Sequence, residues 1–258
     1  MRLGLCTAPA NSELAARLGY DYIEGNLSQI AAMEEKDFEE LAKKAPTLPA
    51  PILKCNCFLP GNIKLVGPDA NREELEAYLK KAFSRASKLG VKVAVLGSGG
   101  ARRVPENWDF SEAWRQIADF LRLANEYGEK YDIDIALEPL RAKECNILNY
   151  VSEGVLLSAL VNLPRVYTLA DTFHMICGCE PMESLKNAGK ALRHVHISHP
   201  LDDHSGRDYP RPNDGMDYAG IFAMLKEMGY EGDVSIEAAT QDIEKDGEVA
   251  FRLLKPLA

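Results

Sequence analysis

Eight short apolar runs alternate with eight longer stretches of helical spacing from one end of the chain to the other. Short, continuously apolar runs are typical of parallel strands that are buried on both faces. The apolar runs lie at 2–6, 21–25, 50–56, 92–97, 134–139, 166–171, 194–198 and 234–238. The helical stretches lie at about 11–18, 34–45, 71–89, 108–130, 149–162, 181–190, 217–228 and 242–254. A strand followed by a helix, repeated eight times, predicts the α/β class and a single (β/α)8 TIM barrel.

No linker or low-complexity segment divides the chain. Its 258 residues suit one barrel of about 250 residues, so we expect residues 1–258 to form a single domain. A doubly wound open sheet is the main alternative fold. That fold usually carries a glycine-rich fingerprint after its first strand, and the segment LCTAPAN has none. The barrel is therefore the favoured architecture.

The net charge of −9 argues against a partner that is itself strongly negative. Binding to nucleic acid or to an anionic membrane surface needs a basic face that releases counterions. No run of about 18 apolar residues predicts a membrane-spanning helix. The first apolar run is interrupted at 11–13 too early for a secretory signal, so we interpret it as a strand and expect a cytoplasmic protein.

Six cysteines are scattered along the chain without a C-x-x-C motif. This pattern is typical of small buried or pocket-lining thiols in a reducing compartment rather than of a disulfide framework or a thiolate metal site. We expect Cys6, Cys55 and Phe58 to line the pocket.

Four of the later strands each end on a side chain that can bind a metal ion: Glu138, Asp171, His196 and Glu237. Chemistry in (β/α)8 barrels lies at the carboxyl ends of the strands, where successive units would bring these four together. Three converging carboxylates would repel one another unless a cation neutralised them. Their oxygens with one imidazole nitrogen favour one divalent ion, Mn²⁺, Mg²⁺ or Co²⁺, with Zn²⁺ also compatible.

Three further features near the strand ends have two interpretations each. His194 shares a strand face with His196 but lies deeper, which favours a core or supporting role. Glu24 ends the second strand and is expected either to reach a substrate hydroxyl or to be a polar rim residue. The segment GSGGARRVP (97–105) is either a glycine-rich turn or a phosphate site that uses Arg102 or Arg103.

The segments EPLRAKECNILN, LADTFHM, HVHIS and SIEA, between residues 138 and 238, together carry a family resemblance. They resemble the xylose-isomerase-like sugar isomerase/epimerase superfamily, and are most similar to its D-tagatose 3-epimerase and D-psicose 3-epimerase branch. The resemblance implies that Glu138, Asp171, His196 and Glu237 bind one divalent metal ion. It also implies that Glu138 and Glu237 act as the acid/base pair, and that the protein is a homodimer or homotetramer.

The same resemblance implies three residues that contact a small-molecule sugar substrate. Glu144, six residues after Glu138, and His174, three after Asp171, match substrate-contacting positions of these epimerases. A loop arginine after the seventh strand normally contacts a hydroxyl group. Arg207 and Arg211 are the candidates here, and we select Arg207.

The predicted reaction begins with removal of a proton from a carbon next to the carbonyl group of a ketose. A metal ion that binds the carbonyl oxygen and a neighbouring hydroxyl would stabilise the resulting cis-enediolate. If one glutamate removes the proton and the other returns it to the opposite face, the carbon is epimerised. If the proton returns to the adjacent carbon, the product is an isomeric aldose. The sequence leaves both outcomes open.

Other activities of the same site remain as alternatives. A metal-dependent lyase or dehydratase that acts on a keto-sugar, an inosose or a 3-keto-glycoside would use the same intermediate. An apurinic endonuclease of the same superfamily would need several zinc ions and histidines from early strands, but the first histidine here is His174. A two-metal isomerase would need a lysine and further carboxylates near the seventh strand. A non-catalytic sugar-binding barrel would not need the pair of glutamates.

Overall fold

Eight parallel strands close into a barrel in a computed structural model that describes residues 1–258. The barrel strands are β1 (Leu3–Cys6), β2 (Tyr22–Asn26), β3 (Ile52–Asn56), β4 (Val93–Leu96), β5 (Asp134–Leu137), β6 (Val166–Asp171), β7 (Leu192–Ile197) and β10 (Asp233–Ile236). Two short strands, β8 (His199–Pro200) and β9 (Arg207–Asp208), form an antiparallel pair between β7 and β10. Because β1 pairs with both β2 and β10, the sheet has no edge, and the predicted (β/α)8 barrel is confirmed.

Helices connect the strands around the outside of the barrel, and there are more of them than the sequence predicted. They are α1 (Ser12–Leu18), α2 (Leu27–Ala32), α3 (Glu35–Lys44), α4 (Arg72–Leu89), α5 (Gly99–Arg102), α6 (Phe110–Tyr131), α7 (Val151–Val161), α8 (Thr172–Cys177), α9 (Ser184–Ala188), α10 (Tyr218–Glu227) and α11 (Ile243–Leu254). The unexpected helices α2, α5 and α8 begin within three residues of the end of a strand. No helix combines the length and the apolar character that a membrane span requires.

The short helices α2 and α8 begin where the last side chain of a strand caps the next segment. Asn26 ends β2 and accepts a hydrogen bond from the backbone N–H of Gln29. Asp171 ends β6 and accepts hydrogen bonds from the N–H groups of Phe173 and His174. A side chain that satisfies free N–H groups in the first turn stabilises a helix even when the helix is too short to show apolar periodicity.

The strands are buried on both faces, as their apolar runs indicate. Every residue of β4, β5 and β10 is buried. One connected cluster of 61 buried apolar residues joins the strands to the helices. A second, separate cluster consists of Val93, Val95, Ala136 and Leu169 on three adjacent strands. The two clusters of buried apolar side chains together fix the positions of the strand ends that carry the candidate site.

At the amino end of the barrel, two buried aspartates begin strands and lie between cations. They are Asp134 at the start of β5 and Asp233 at the start of β10. The cations within 3.2 Å of a carboxylate oxygen are Arg165 and Arg193 for Asp134, and Arg2 and Lys54 for Asp233. Each buried negative charge at this end is therefore paired within the protein.

Candidate metal centre

The four predicted metal ligands come together at the carboxyl end of the barrel. Asp171 is the last residue of β6, and Glu138 and Glu237 directly follow β5 and β10. Asp171 and Ser235 both lie in register with His196, which places the ends of three adjacent strands at one level. One ligand atom from each of the four side chains lies within 4.8 Å of those of the others.

The donor atoms of this cluster surround one ring nitrogen. Nδ1 of His196 lies 3.2 Å from Oε1 of Glu138, 3.2 Å from Oε2 of Glu237 and 3.8 Å from Oδ2 of Asp171. The His196 and Asp171 side chains are inaccessible to solvent, whereas the Glu237 side chain is 20% exposed. Three carboxylate oxygens and one imidazole nitrogen are ligands that divalent ions of the Mn²⁺, Mg²⁺ and Co²⁺ type accept. The side chains present therefore fit one such ion.

The two glutamates of the cluster have pKa values that are shifted in opposite directions. Burial, reinforced by the charge of Glu237, raises the pKa of Glu138. Burial also acts to raise the pKa of Glu237, but the positive charges of His196 and Arg207 outweigh it and lower that pKa. Of two neighbouring carboxyl groups, the one with the raised pKa is suited to hold a proton, and the one with the lowered pKa is suited to accept one when its partner has released it.

Arg207 reaches into the centre from β9 and supplies positive charge. Its Nη1 donates to Oδ2 of Asp171 at 2.6 Å and to Oε2 of Glu237. Its Nη2 lies 3.0 Å from Nε2 of His174, and its guanidinium lies over the Phe173 ring at 4.4 Å from the ring centroid. Burial opposes this charge, but the neighbouring carboxylates raise the pKa of Arg207 further above its usual value. The structure thus brings His174 and Arg207 to the cluster.

Glu144, which the family resemblance implies as a substrate contact, and Arg211, the other candidate loop arginine, have partners outside the cluster. Oε1 of Glu144 accepts a hydrogen bond from Nε of Arg141 at 2.7 Å, and the Glu144 side chain is 39% exposed. Arg211 forms an ion pair with Asp208 at 2.7 Å. Of the two loop arginines, only Arg207 contacts the predicted metal ligands.

Glu24 lies beneath the cluster. The sequence predicted either a contact with a substrate hydroxyl or a polar residue on the rim, and neither prediction describes this buried position. It is 1% exposed, its Oε1 lies 2.9 Å from Nε2 of His196, and its Oε2 lies 2.8 Å from Nε2 of His194. Burial acts to raise the pKa of Glu24, but the two histidines lower it well below its usual value. The contact joins positions 170 residues apart, so no local sequence signal could have revealed it.

The glycine-rich segment after β4 has a structural role. Arg102 is fully buried and donates from Nη1 to the carbonyl of Leu96 at 2.7 Å and from Nη2 to the carbonyl of Glu138 at 2.5 Å. Arg103 donates to the carbonyl of Lys143 at 3.1 Å. A Cβ atom at Gly97 would lie 2.2 Å from Oε2 of Glu138. The segment therefore makes room for Glu138 and holds its backbone, and both arginines have backbone partners.

A cavity of about 800 Å³ opens beside the cluster. Glu237 and Arg207 line it on the side of the cluster, and Asn56 in its wall donates to Oε1 of Glu237 at 2.8 Å. The other lining residues are Cys6, Thr7, Ala8, Pro9, Ala10, Glu24, Gly25, Asn26, Gln29, Ile30, Met33, Leu41, Cys57, Ala238 and Ala239. Cys6 lines this cavity as predicted, but Cys55 and Phe58 do not, because both are buried in the core.

Comparisons with known proteins agree with this architecture. Fructoselysine 3-epimerase of Escherichia coli O157:H7 is 28% identical over 238 residues, which cover 88% of this chain and 83% of that protein. The structure of D-psicose 3-epimerase with D-tagatose from Clostridium cellulolyticum H10 matches with a TM-score of 0.85 at 19% identity, over 100% of this chain and 99% of the other. The structure of IOLI protein with a binding zinc atom matches with a TM-score of 0.73 at 25% identity, over 100% and 96% of the two chains.

The model of one protein family, described as xylose isomerase-like TIM barrel, matches residues 12–256. That range contains all eleven helices complete and all but the first barrel strand. It also contains all four residues of the donor cluster. The chain therefore belongs to the xylose isomerase-like TIM barrel family.

Proposed function

We propose that this protein is a divalent-metal-dependent sugar epimerase or isomerase that acts on a ketose or a related keto-sugar. The observation that carries the proposal is the position of Glu138 and Glu237 in one metal-competent cluster, where an oxygen of each lies 3.2 Å from Nδ1 of His196. The cavity beside them provides room for a small molecule. The similarity to fructoselysine 3-epimerase over most of both chains supports an isomerase-class enzyme.

The proposed roles follow from the environment of each side chain. Glu138, Asp171, His196 and Glu237 would hold the metal ion. When bound, this ion supplies positive charge that stabilises the anion of a deprotonated ketose. Glu237 is ionised and exposed to the cavity, so it can accept a proton from the carbon next to the carbonyl group. Glu138, at another strand end of the same cluster, would return a proton to the opposite face of that carbon.

The proposed substrate contacts come from three segments around the cluster: α8, β9 and the loop after β5. Arg207 and His174 lie 3.0 Å apart beside the donor atoms, where they can bind the oxygens of a sugar. Glu144 would contact the substrate after exchanging its hydrogen bond from Arg141 for one from a hydroxyl group. These assignments predict that variants of Arg207 and His174 raise KM more than variants of Glu144 do.

We further propose that the substrate carries no phosphate group. Arg207 is the only cationic side chain in the cavity wall, and its guanidinium is already bound by two carboxylates. A phosphate group is normally recognised by several donors, such as arginines, lysines or the N–H groups at a helix start. The arginines of the segment at 97–105 are occupied by backbone carbonyls and do not provide them.

The test is incubation of the Mn²⁺-loaded protein with a panel of ketoses in D₂O, read by NMR and mass spectrometry. An epimerase incorporates deuterium at carbon three and leaves the carbon skeleton unchanged. A product that is lighter by a leaving group would instead identify the lyase or dehydratase alternative. Absence of exchange with every ketose and keto-glycoside in the panel would contradict the proposed function. The Glu237→Gln protein serves as the control for exchange that the enzyme does not catalyse.

Four further expectations remain predictions. The metal ion is expected to be Mn²⁺, Co²⁺ or Mg²⁺, with Zn²⁺ compatible. The protein is expected to be cytoplasmic and to form a homodimer or homotetramer. Residues 1–258 are expected to constitute one domain. Metal analysis of the purified protein and light scattering would test the first and the third of these.

A further inference from the structure

The carboxylate of Glu24 reaches the centre through the interior of the barrel. It lies on β2, whereas the two histidines it contacts lie on β7, and β1 and β10 stand between those strands. The Glu24 side chain is inaccessible to solvent, so its contacts are made with protein atoms on the inner side of the metal-competent cluster. A buried carboxylate in such a position costs free energy unless its partners compensate it, which indicates a specific task.

The partners of the two ring nitrogens of His196 indicate the role of Glu24. Its Nδ1 faces Glu138 and Glu237, and its Nε2 lies 2.9 Å from Oε1 of Glu24. An imidazole nitrogen binds a metal ion only through a lone pair, so the nitrogen that faces the cluster must carry no hydrogen when the ion is bound. An ionised carboxylate can only accept. When the ion is bound, the one hydrogen of His196 would therefore lie on Nε2, where Glu24 can accept it.

The second oxygen of Glu24 is fixed by the neighbouring histidine. Its Oε2 lies 2.8 Å from Nε2 of His194, and Nδ1 of the same ring lies 2.9 Å from the backbone carbonyl oxygen of Asp233. The two imidazole rings pack edge to face with their centroids 4.9 Å apart. Both carboxylate oxygens of Glu24 thus face imidazole nitrogens of β7, and the His194 ring is in turn anchored to β10 at the Asp233 carbonyl.

We propose that Glu24 is a positioning residue for the metal centre: by accepting the Nε2 hydrogen of His196, it selects the tautomer and the ring orientation in which Nδ1 points at the three carboxylates. This proposal rests on the proposed metal-binding role of the cluster and is independent of which sugar is the substrate. Partners of ligand histidines generally orient the ring and increase its basicity, and their loss weakens metal affinity or activity about 10- to 100-fold.

Two substitutions of similar volume separate hydrogen bonding from packing. Glu24→Gln keeps an acceptor: its carbonyl oxygen can accept from Nε2 of His196, and its amide can donate to Nε2 of His194. Glu24→Met fills the same space without an acceptor. The measurement is the affinity of each purified, metal-free protein for Mn²⁺, followed by the EPR signal of the free ion, with no sugar present.

We expect Mn²⁺ binding to weaken about 10- to 100-fold in Glu24→Met and to stay within about threefold of wild type in Glu24→Gln. The spectrum of [¹⁵N]histidine-labelled, Mg²⁺-loaded protein, which contains five histidines, supplies the second readout. The wild type and Glu24→Gln should show His196 with its hydrogen on Nε2, whereas Glu24→Met at the same Mg²⁺ concentration should show a larger fraction of His196 that has not bound the ion.

Wild-type Mn²⁺ affinity in Glu24→Met would overturn the proposal, because volume alone would then suffice. Equal weakening in Asp134→Asn, which alters a buried carboxylate at the opposite end of the barrel, would also overturn it. If Glu24→Met does not fold, Glu24→Asp replaces it, since its carboxylate is one methylene too short to reach His196. A wild-type protein that binds Mn²⁺ but converts no ketose would refute the proposed function and leave the role of Glu24 standing.

Discussion

Buried negative charge is compensated to different extents at the two ends of this barrel. At the amino end, Asp134 and Asp233 each lie between two cations of the protein itself. At the carboxyl end, four carboxylates converge on a much smaller amount of positive charge. They are Glu24, Glu138, Asp171 and Glu237, and the cationic groups among them are Arg207 and the imidazole of His196.

This difference separates stability from function. Charges that are paired within the protein hold an end of the barrel together and need no ligand. An excess of carboxylates is held at a cost in repulsion, which a bound cation relieves. In barrels of this kind the amino end generally serves stability and the carboxyl end serves chemistry. Substitutions at the amino end should therefore lower the free energy of unfolding, whereas substitutions at the carboxyl end should change turnover and metal affinity.

The largest expected effect is on turnover, at the carboxyl end. Glu138→Gln and Glu237→Gln each remove a group that is proposed both to bind the metal and to transfer a proton. We expect kcat to fall about 10³-fold or more, since proton transfer by a positioned group alone contributes about 10²- to 10⁴-fold. Circular dichroism should show an intact fold. Substantial activity in either variant would remove that residue from the acid/base pair.

The largest effect on stability is expected at the amino end. Asp233→Asn leaves Lys54, whose side chain is 5% exposed, without its carboxylate partner. Breaking a buried ion pair in this way costs about 3 kcal/mol of the free energy of unfolding, which urea denaturation measures. Mn²⁺ affinity should be unchanged, because Asp233 contacts His194 only through its backbone carbonyl. A loss of metal affinity would show that the two ends are not independent.

The same substitution should show a defined pH dependence. Burial acts to raise the pKa of Asp233, but the hydrogen bond from Arg2 and the charge of Lys54 lower it. Because the pKa is lower in the folded chain, the stabilisation is complete above the unfolded value of about 3.9 and is lost as the pH falls through the folded value. The stability difference between wild type and Asp233→Asn should therefore narrow below about pH 4. A constant difference would contradict this account.

Removal of the metal ion should have an intermediate effect on stability. A ligand that binds only the folded state at 100 times its Kd adds about 2.7 kcal/mol to the free energy of unfolding. We therefore expect EDTA to lower Tm and abolish activity, and added Mn²⁺ to restore both. Asp233→Asn should gain the same increment from Mn²⁺ as the wild type. A Tm that does not respond to Mn²⁺ would argue against a resident divalent ion.

The smallest effect is expected from Arg207→Met. The guanidinium shares Asp171 and Glu237 with the proposed metal ion. Its loss should strengthen Mn²⁺ binding by about threefold, the scale of a partly screened ion pair, while it raises KM for the sugar. Isothermal titration with Mn²⁺ measures the first effect. Weaker Mn²⁺ binding would instead mean that Arg207 supports the ligands rather than competing for them.

The barrel could be predicted from the sequence because each buried strand is a short apolar run with its own helix behind it. The helix predicted at 181–190 is present only as α9 and a 3-10 turn, and α8 before it was missed. Six residues are too few to show apolar periodicity, and the signal for α8 was the capping aspartate Asp171, which had already been assigned to the metal. A single side chain can both cap a helix and bind a metal ion, but a search for sequence patterns assigns it only one of these roles.

The candidate site could be predicted only in part. Glu138, Asp171, His196 and Glu237 were accessible to prediction because each lies within one residue of the end of a recognisable strand. Glu24 was expected at the end of the second strand but lies in the middle of β2, and its role depends on histidines that are far away in the sequence and face it across the barrel interior. Distances through the interior follow from barrel closure and register, which local sequence patterns do not contain.

Gly97 bears on how this barrel can be altered by evolution or by design. A side chain at this position would meet the flexible end of Glu138 rather than rigid backbone, so the carboxylate could move aside at little cost in stability. A screen for folded protein would therefore accept substitutions at position 97, whereas a screen for turnover would reject them. The position should be kept fixed in any library meant to change substrate preference, although Gly97 does not line the cavity and the nearest side chain to it is that of the proposed metal ligand Glu138.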